Sequence, residues 1–206
     1  MTGFVERGLV FAVALVLALP VVAKDRVAIV DEGGIRAEWK LAEGAKLAAP
    51  AYPAEFAARG DNVCVAIGYA IQPDGSTSDF SLLKGWASST GGDREPAPGF
   101  WEAFAQAGGA AVSQWKFQPR PEVASPRPVY TVATMHFIGR EAADAAALRS
   151  RCAIADLAGY VQKQKWNRYQ AGNLTKNELE RFQRLRFSKP AMVEQPGVTP
   201  IPTGRR

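Results

Sequence analysis

The sequence predicts an α+β fold, and three patterns carry that reading. Three segments alternate at period two, as strands do. A run between the second and third repeats apolar residues at helical spacing, and a long alanine-rich stretch after the last strand reads as helix. With 206 residues, 47% hydrophobic and 22% charged, the chain can supply one domain with a real core.

Residues 1–23 stand apart from that domain. Arg7 precedes GLVFAVALVLALP, and Val21-Val22-Ala23 puts small residues before Lys24, in the arrangement of an export signal. The apolar run of residues 8–23 is sixteen long and broken by Pro20, short of the roughly 20 residues that span a bilayer. Two outcomes stay open: cleavage, or retention as a short anchor with inner-membrane association. An exported chain meets an oxidising compartment, so Cys64 and Cys152, the two cysteines, are expected as a disulfide; two thiols alone lack zinc spacing. The alternative is a pair of unpaired buried thiols.

Residues 24–49 are expected to form an N-terminal hairpin and connector. DRVAIVDEGGIRAEWK alternates on both sides of Asp31-Glu32-Gly33-Gly34, as a hairpin turning there would. PAEFAARG follows as a short helix with proline in its first turn and Gly60 at its end. In the first strand Val63, Val65, Ile67, Tyr69 and Ile71 share one face and line the core, while Cys64, Ala66, Gly68 and Ala70 share the other. Side chains that small imply close packing on that face as well. Pro73-Asp74-Gly75-Ser76 then turns the chain into a second strand, TSDFSLLKG, with Gly75 suited to positive φ.

The helix with Phe100, Phe104, Ala107, Ala111 and Trp115 at its spacing contains Gly108-Gly109, which is expected to loosen its middle. A third strand over 129–138 closes the unit. Residues 140–187 form a helical extension: a long helix over about 141–170, then a second opened by the capping box Thr175-Lys176-Asn177-Glu178. The long helix is expected to cover the small-residue face and bring Cys152 to Cys64. Residues 188–206 have four prolines and no periodicity, the composition of a disordered tail.

Charge divides along the chain. Residues 1–139 hold 12 Lys and Arg against 14 Asp and Glu, and residues 140–206 hold 13 against 6. The basic extension reads either as a solvated helix face or as a surface attracted to anionic lipid or polymer. Nucleic acid is not an expected partner of an exported chain.

Catalytic material is sparse. His136 is the one histidine and sits inside a strand, where a structural role outweighs that of a base. No phosphate-binding glycine loop or nucleophile elbow is present. Asp74 and Asp79 have too few neighbouring oxygen ligands for calcium. No enzyme activity, cofactor or metal is expected.

Tyr52-Pro53, the short helix, Gly60, the alternating strand, Pro73-Asp74-Gly75, a strand ending near Lys84-Gly85, a helix ending in Gln114-Trp115-Lys116-Phe117-Gln118-Pro119 and the strand 129–138 come in an order that resembles the C-terminal domain of TonB-type energy transducers over residues 50–139. The resemblance implies a three-stranded antiparallel sheet packed with two helices. It also implies a periplasmic location and a grip on a short segment of an outer-membrane receptor, with force passed on from an inner-membrane motor. Physically such a grip is β-augmentation, since an edge strand has unpaired main-chain groups that an extended peptide can join. On this reading Val129, Tyr130, Val132, Thr134 and His136 lie on the pairing edge, with Tyr52 and Pro53 near the same surface. The expected partners are a receptor peptide, another envelope protein, or a second copy of the chain through the sheet edge. The extension after Gly139 covers either a sheet face or that edge, and in the latter case the chain is an envelope scaffold or interaction protein without energy transduction.

Overall fold

A computed structural model of the chain describes residues 27–172. The export segment, the capping-box helix and the proline-rich tail fall outside these residues. Two short strands, β1 (Ala28–Ile29) and β2 (Trp39–Leu41), precede β3 (Val63–Ile71) and β4 (Thr77–Ala87). Helix α1 (Phe100–Ser113) leads to β5 (Phe117–Pro119) and β6 (Val129–Phe137), and helices α2 (Ala145–Cys152) and α3 (Leu157–Gln170) follow. Among the described residues no helix is long and apolar enough to cross a membrane.

The main sheet has four strands in the order β1-β6-β3-β4, and a separate ribbon pairs β2 with β5. The expected three-stranded antiparallel sheet is therefore β6-β3-β4 with a parallel strand, β1, added at its margin. All nine residues of β3 are buried, because each face of the sheet carries its own layer. Val63, Val65, Ile67, Tyr69 and Ile71 meet Phe100, Phe104, Ala111 and Val112 of α1. Helix α1 runs unbroken through Gly108, which lets it approach the sheet: an added Cβ would come within 2.8 Å of Ile67 Cγ1. Cys64 and Ala66 meet Leu148, Cys152, Ile154 and Leu157 of the extension, and Cys64 and Cys152 are joined in a disulfide.

β4 serves both layers through irregular pairing. Ala66 opposes Lys84 and Ile67 opposes Leu82, so Leu83 is the extra residue of a bulge. Leu82 then packs into the α1 core and Leu83 into the α2–α3 core. A second irregularity lies between Gly68 and Ala70, opposite Asp79, whose φ of 55° places it in the left-handed region. The Pro73–Ser76 turn holds as expected, with Gln72 N–H donating to Ser76 O at 2.8 Å and Gly75 at φ 78°. Gly75 has a further role: Phe117 N–H donates to its carbonyl at 2.9 Å, tying β5 to the turn.

Three expectations are corrected. In place of an N-terminal hairpin, the chain turns at Asp31–Gly34, passes through a 3₁₀ turn (Gly34–Ala37), and sends its two arms to different sheets. Each arm gains more burial that way than in a lone two-stranded ribbon, which is marginal in water: Trp39 is only 2% exposed in the α1 core. The PAEFAARG helix is a 3₁₀ turn over Ala54–Phe56. The long helix is two, broken where Ala153 adopts ψ 138° and Asp156 accepts from Gly159 N–H at 2.9 Å as a cap. The break turns Ile154 and Leu157 to the sheet along with Leu148 and Cys152.

Two stability outcomes are expected. The disulfide spans 88 residues, a separation for which loop-closure entropy gives roughly 4 kcal/mol. Denaturant titration with and without reductant should register a loss of that order, and thiol counting on the unreduced chain should find none. At Gly75 an added Cβ would fall 1.8 Å from Phe117 O, so Gly75→Ala should cost roughly 2–4 kcal/mol. Gly33, at φ 84° with nothing within 4 Å, should lose only about 1 kcal/mol on the same change. Equal losses would contradict this account.

Candidate functional site

The expected pairing strand, β6, is not at the sheet margin. Its inner side takes β3 over the full length from Val63↔Phe137 to Ile71↔Val129. Its outer side is lined by residues 27–32, a strap entering from the N-terminal direction. Ala28 opposes Val129 and Ile29 opposes Tyr130 in parallel register, and Val30 N–H donates to Tyr130 O at 3.0 Å. The strap holds the rim of both layers, with Ala28 and Val30 against the α1 core and Ile29 against the α2–α3 core.

Beyond Val30 the strap leaves main-chain pairing and continues with side chains. The Glu32 carboxylate accepts from Thr134 N–H at 2.9 Å through Oε1 and from the Thr134 hydroxyl at 2.6 Å through Oε2. A side-chain oxygen thus takes the position of a neighbouring strand's carbonyl. Arg149 Nη2 of α2 donates to the same carboxylate at 3.3 Å. Asp31 turns the other way, and its Oδ1 accepts from Leu157 N–H at 2.7 Å, satisfying one of the orphan donors at the start of α3. Two adjacent acids therefore join the strap to β6, α2 and α3.

The expected site residues divide between the two faces of the sheet. Tyr130, Val132, Thr134 and His136 oppose Ala70, Gly68, Ala66 and Cys64 and share their face with the helical extension. By strand alternation the main-chain groups of Val132, Thr134 and His136 point to the strap side, as those of Tyr130 do. Val132 and Thr134 are buried and His136 is half-buried. The Tyr130 ring crosses Gly68, where an added Cβ would sit 2.0 Å from its hydroxyl; that hydroxyl lies 2.8 Å from Ser81 Oγ, and burial raises its pKa.

Val129 faces the α1 core. Tyr52 is on that side too, edge-on to Phe104 at 5.2 Å and to Phe137 at 6.2 Å, with its hydroxyl donating to Asp61 O. Burial first and the Asp61 charge second raise its pKa. Pro53 is buried beside it. Tyr52 and Pro53 are thus packing residues beneath the far end of β6, on the other side of the sheet from Thr134. Asp31 and Glu32 escape a reading that treats them as turn residues. Their one sequence signal is that two acids stand side by side before Gly33-Gly34.

Among the described residues no group of three His, Cys, Asp or Glu could hold a metal ion. Asp74 is engaged by Ser76 instead: the hydroxyl and N–H of Ser76 donate to its Oδ1 at 2.6 and 2.9 Å, which lowers the Asp74 pKa.

No family model matches the chain, and no curated protein matches it. Among solved structures it is similar to the solution structure of the Pseudomonas aeruginosa TonB C-terminal domain, at 21% identity and a TM-score of 0.36, over 51% of this chain and 90% of that one.

Removing Glu32 leaves Thr134 N–H without its acceptor, so Glu32→Ala should cost about 1–2 kcal/mol and speed amide exchange at Thr134 more than at Val65. Asp31→Ala removes a helix-start acceptor and should cost about 1 kcal/mol, with faster exchange at Leu157. Unchanged exchange at both amides would refute the clamp.

Proposed function

We propose that the chain is a non-enzymatic protein-binding module of the cell envelope, TonB-like in its order of elements, that takes up an extended peptide along the outer side of β6. The observation that carries this reading is the strap itself. β6 already accepts an extended segment there, in register, with only two paired residues before side chains take over. A partner strand offering continuous main-chain pairing from Tyr130 to His136 would gain more ladder bonds than the strap makes. Export to the periplasm is part of the proposal, supported by the leader-like residues 1–23 and by the Cys64–Cys152 bond, which suits an oxidising compartment. An outer-membrane receptor segment is the partner that the resemblance over residues 50–139 suggests, and pairing with a second copy is the same chemistry.

One observation favours a second reading, an envelope scaffold with a closed edge. The Asp31 and Glu32 contacts tie the strap to three elements at once, which raises the cost of displacing it. The basic face of α3, with Lys163 exposed, would then make the contact.

Photo-cross-linking in cells separates the two. A benzoylphenylalanine at His136 should give adducts with an envelope protein, and Glu32→Ala, by loosening the strap, should raise their yield severalfold. Adducts from position 163 alone, unaffected by Glu32→Ala, would replace the peptide-pairing reading with the scaffold.

A further inference from the structure

The helical extension covers the small-residue face of the sheet unevenly. The disulfide pins it at Cys64, while Ala70 lies six residues along β3, about 20 Å away at strand rise. Toward Ala70 a cleft of about 590 Å³ opens between α3 and the sheet, within the range of roughly 300–1,000 Å³ typical of small-ligand sites. Its floor is Ala70, Leu83 and Tyr130, and its walls are Ile29 of the strap and Val161 of α3. Small side chains make the space: Gly68 lets the Tyr130 ring lie across the sheet, and Ala70 adds only a methyl group.

Polar groups line the cleft from two directions, with Gln72, Asp79 and Ser81 of the β3–β4 hairpin facing residues of α3. Arg168, Lys165 and Gln164 line the cleft from α3, placing two cations along one wall. The acid that also lines it, Asp79, accepts from the Ser78 hydroxyl at 2.8 Å. An apolar trough with a cationic rim matches a straight hydrocarbon chain that ends in an anion. It does not suit an extended peptide, whose main-chain groups would face apolar walls without partners. Val27, at the cleft, follows the apolar run of residues 8–23 by only three intervening residues, so a retained anchor would hold the cleft close to a bilayer surface.

We propose that this cleft binds the acyl chain of an anionic amphiphile, with its head group at Arg168 and its chain over Ala70, Leu83 and Val161. The cleft shares Ile29 and Tyr130 with the strap and β6, but its test is made on the chain without a partner and does not depend on peptide pairing. Free fatty acids and anionic lipids share this chemistry, and the probes distinguish them.

The experiment is calorimetric titration of the delipidated, disulfide-intact full chain with dodecanoate below its micellar concentration. Each buried methylene contributes about four-fold in affinity, so octanoate should bind on the order of 100-fold more weakly. Dodecyltrimethylammonium, with a chain about one methylene longer and the opposite charge, should bind at least about ten-fold more weakly, and Arg168→Glu should erase that preference. Ala70→Phe should abolish binding by filling the floor, with Val161→Trp as a second blocking variant; retention of the Cys64–Cys152 bond and of the far-ultraviolet spectrum reports folding for each. Co-sedimentation with phosphatidylglycerol vesicles, lost in the same variants, would assign the ligand to membrane lipid, and dodecanoate binding without co-sedimentation would assign it to a free fatty acid. Equal affinity for dodecanoate and octanoate, or undiminished binding by a folded blocking variant, overturns the proposal.

Discussion

Strand β3 has no side toward water, and that constraint organises the molecule. A strand buried on both faces needs a layer on each, and the two sets of β3 side chains differ in bulk, so the layers differ in kind. Against Val63, Val65, Ile67, Tyr69 and Ile71 lies an aromatic core built by α1, with Phe100, Phe104 and Tyr52 in edge-on or tilted contacts. Against Cys64 and Ala66, where little side-chain volume is available, the extension comes close enough for a covalent bond. Neither layer suffices alone, because removing either would expose half of β3.

The same constraint explains the margins. A four-stranded sheet filled on both faces still has two edges, and the chain treats them differently. At β4 it uses bulges and the left-handed Asp79, devices that disturb the regular edge an incoming strand would need. At β6 it supplies a short parallel strand and then a carboxylate. Glu32 ends the pairing with an acceptor and no matching donor, so the strap stops the ladder instead of extending it.

Much of this architecture was legible in the sequence, because period-two alternation with unequal faces is a strong signal when a strand is doubly buried. The large and small sets of β3, the turn at Pro73–Ser76 and helix α1 follow from local pattern, and the meeting of Cys64 with Cys152 was legible as the pairing expected of two cysteines in an exported chain. What was not legible depended on distant partners. The alternation around Asp31–Gly34 is real, but whether such arms pair with each other or with remote strands is decided by what is buried, and Trp39 finds its place only beside β5 and the α1 core. The break at residues 153–156 was hidden because alanine supports helix as readily as any residue, while its direction is set by the need to turn Leu157 inward. For the candidate site, the strand was readable and its occupant was not: Glu32 and Thr134 are 102 residues apart, and no local rule connects them.

The covalent link between Cys64 and Cys152 also acts as a check on strand register. Because side chains alternate, a slip of β3 by one residue would turn Cys64 into the aromatic layer, away from the helices. Oxidation to the native pair is thus open only to chains whose sheet is aligned and whose extension has docked. In a chain exported with its N-terminal end leading, Cys64 would wait through the delivery of β4, α1 and β6 before its partner arrived. The last covalent step of maturation would then prove the first folding decision, and a misaligned sheet would remain as free thiols, open to reshuffling or removal.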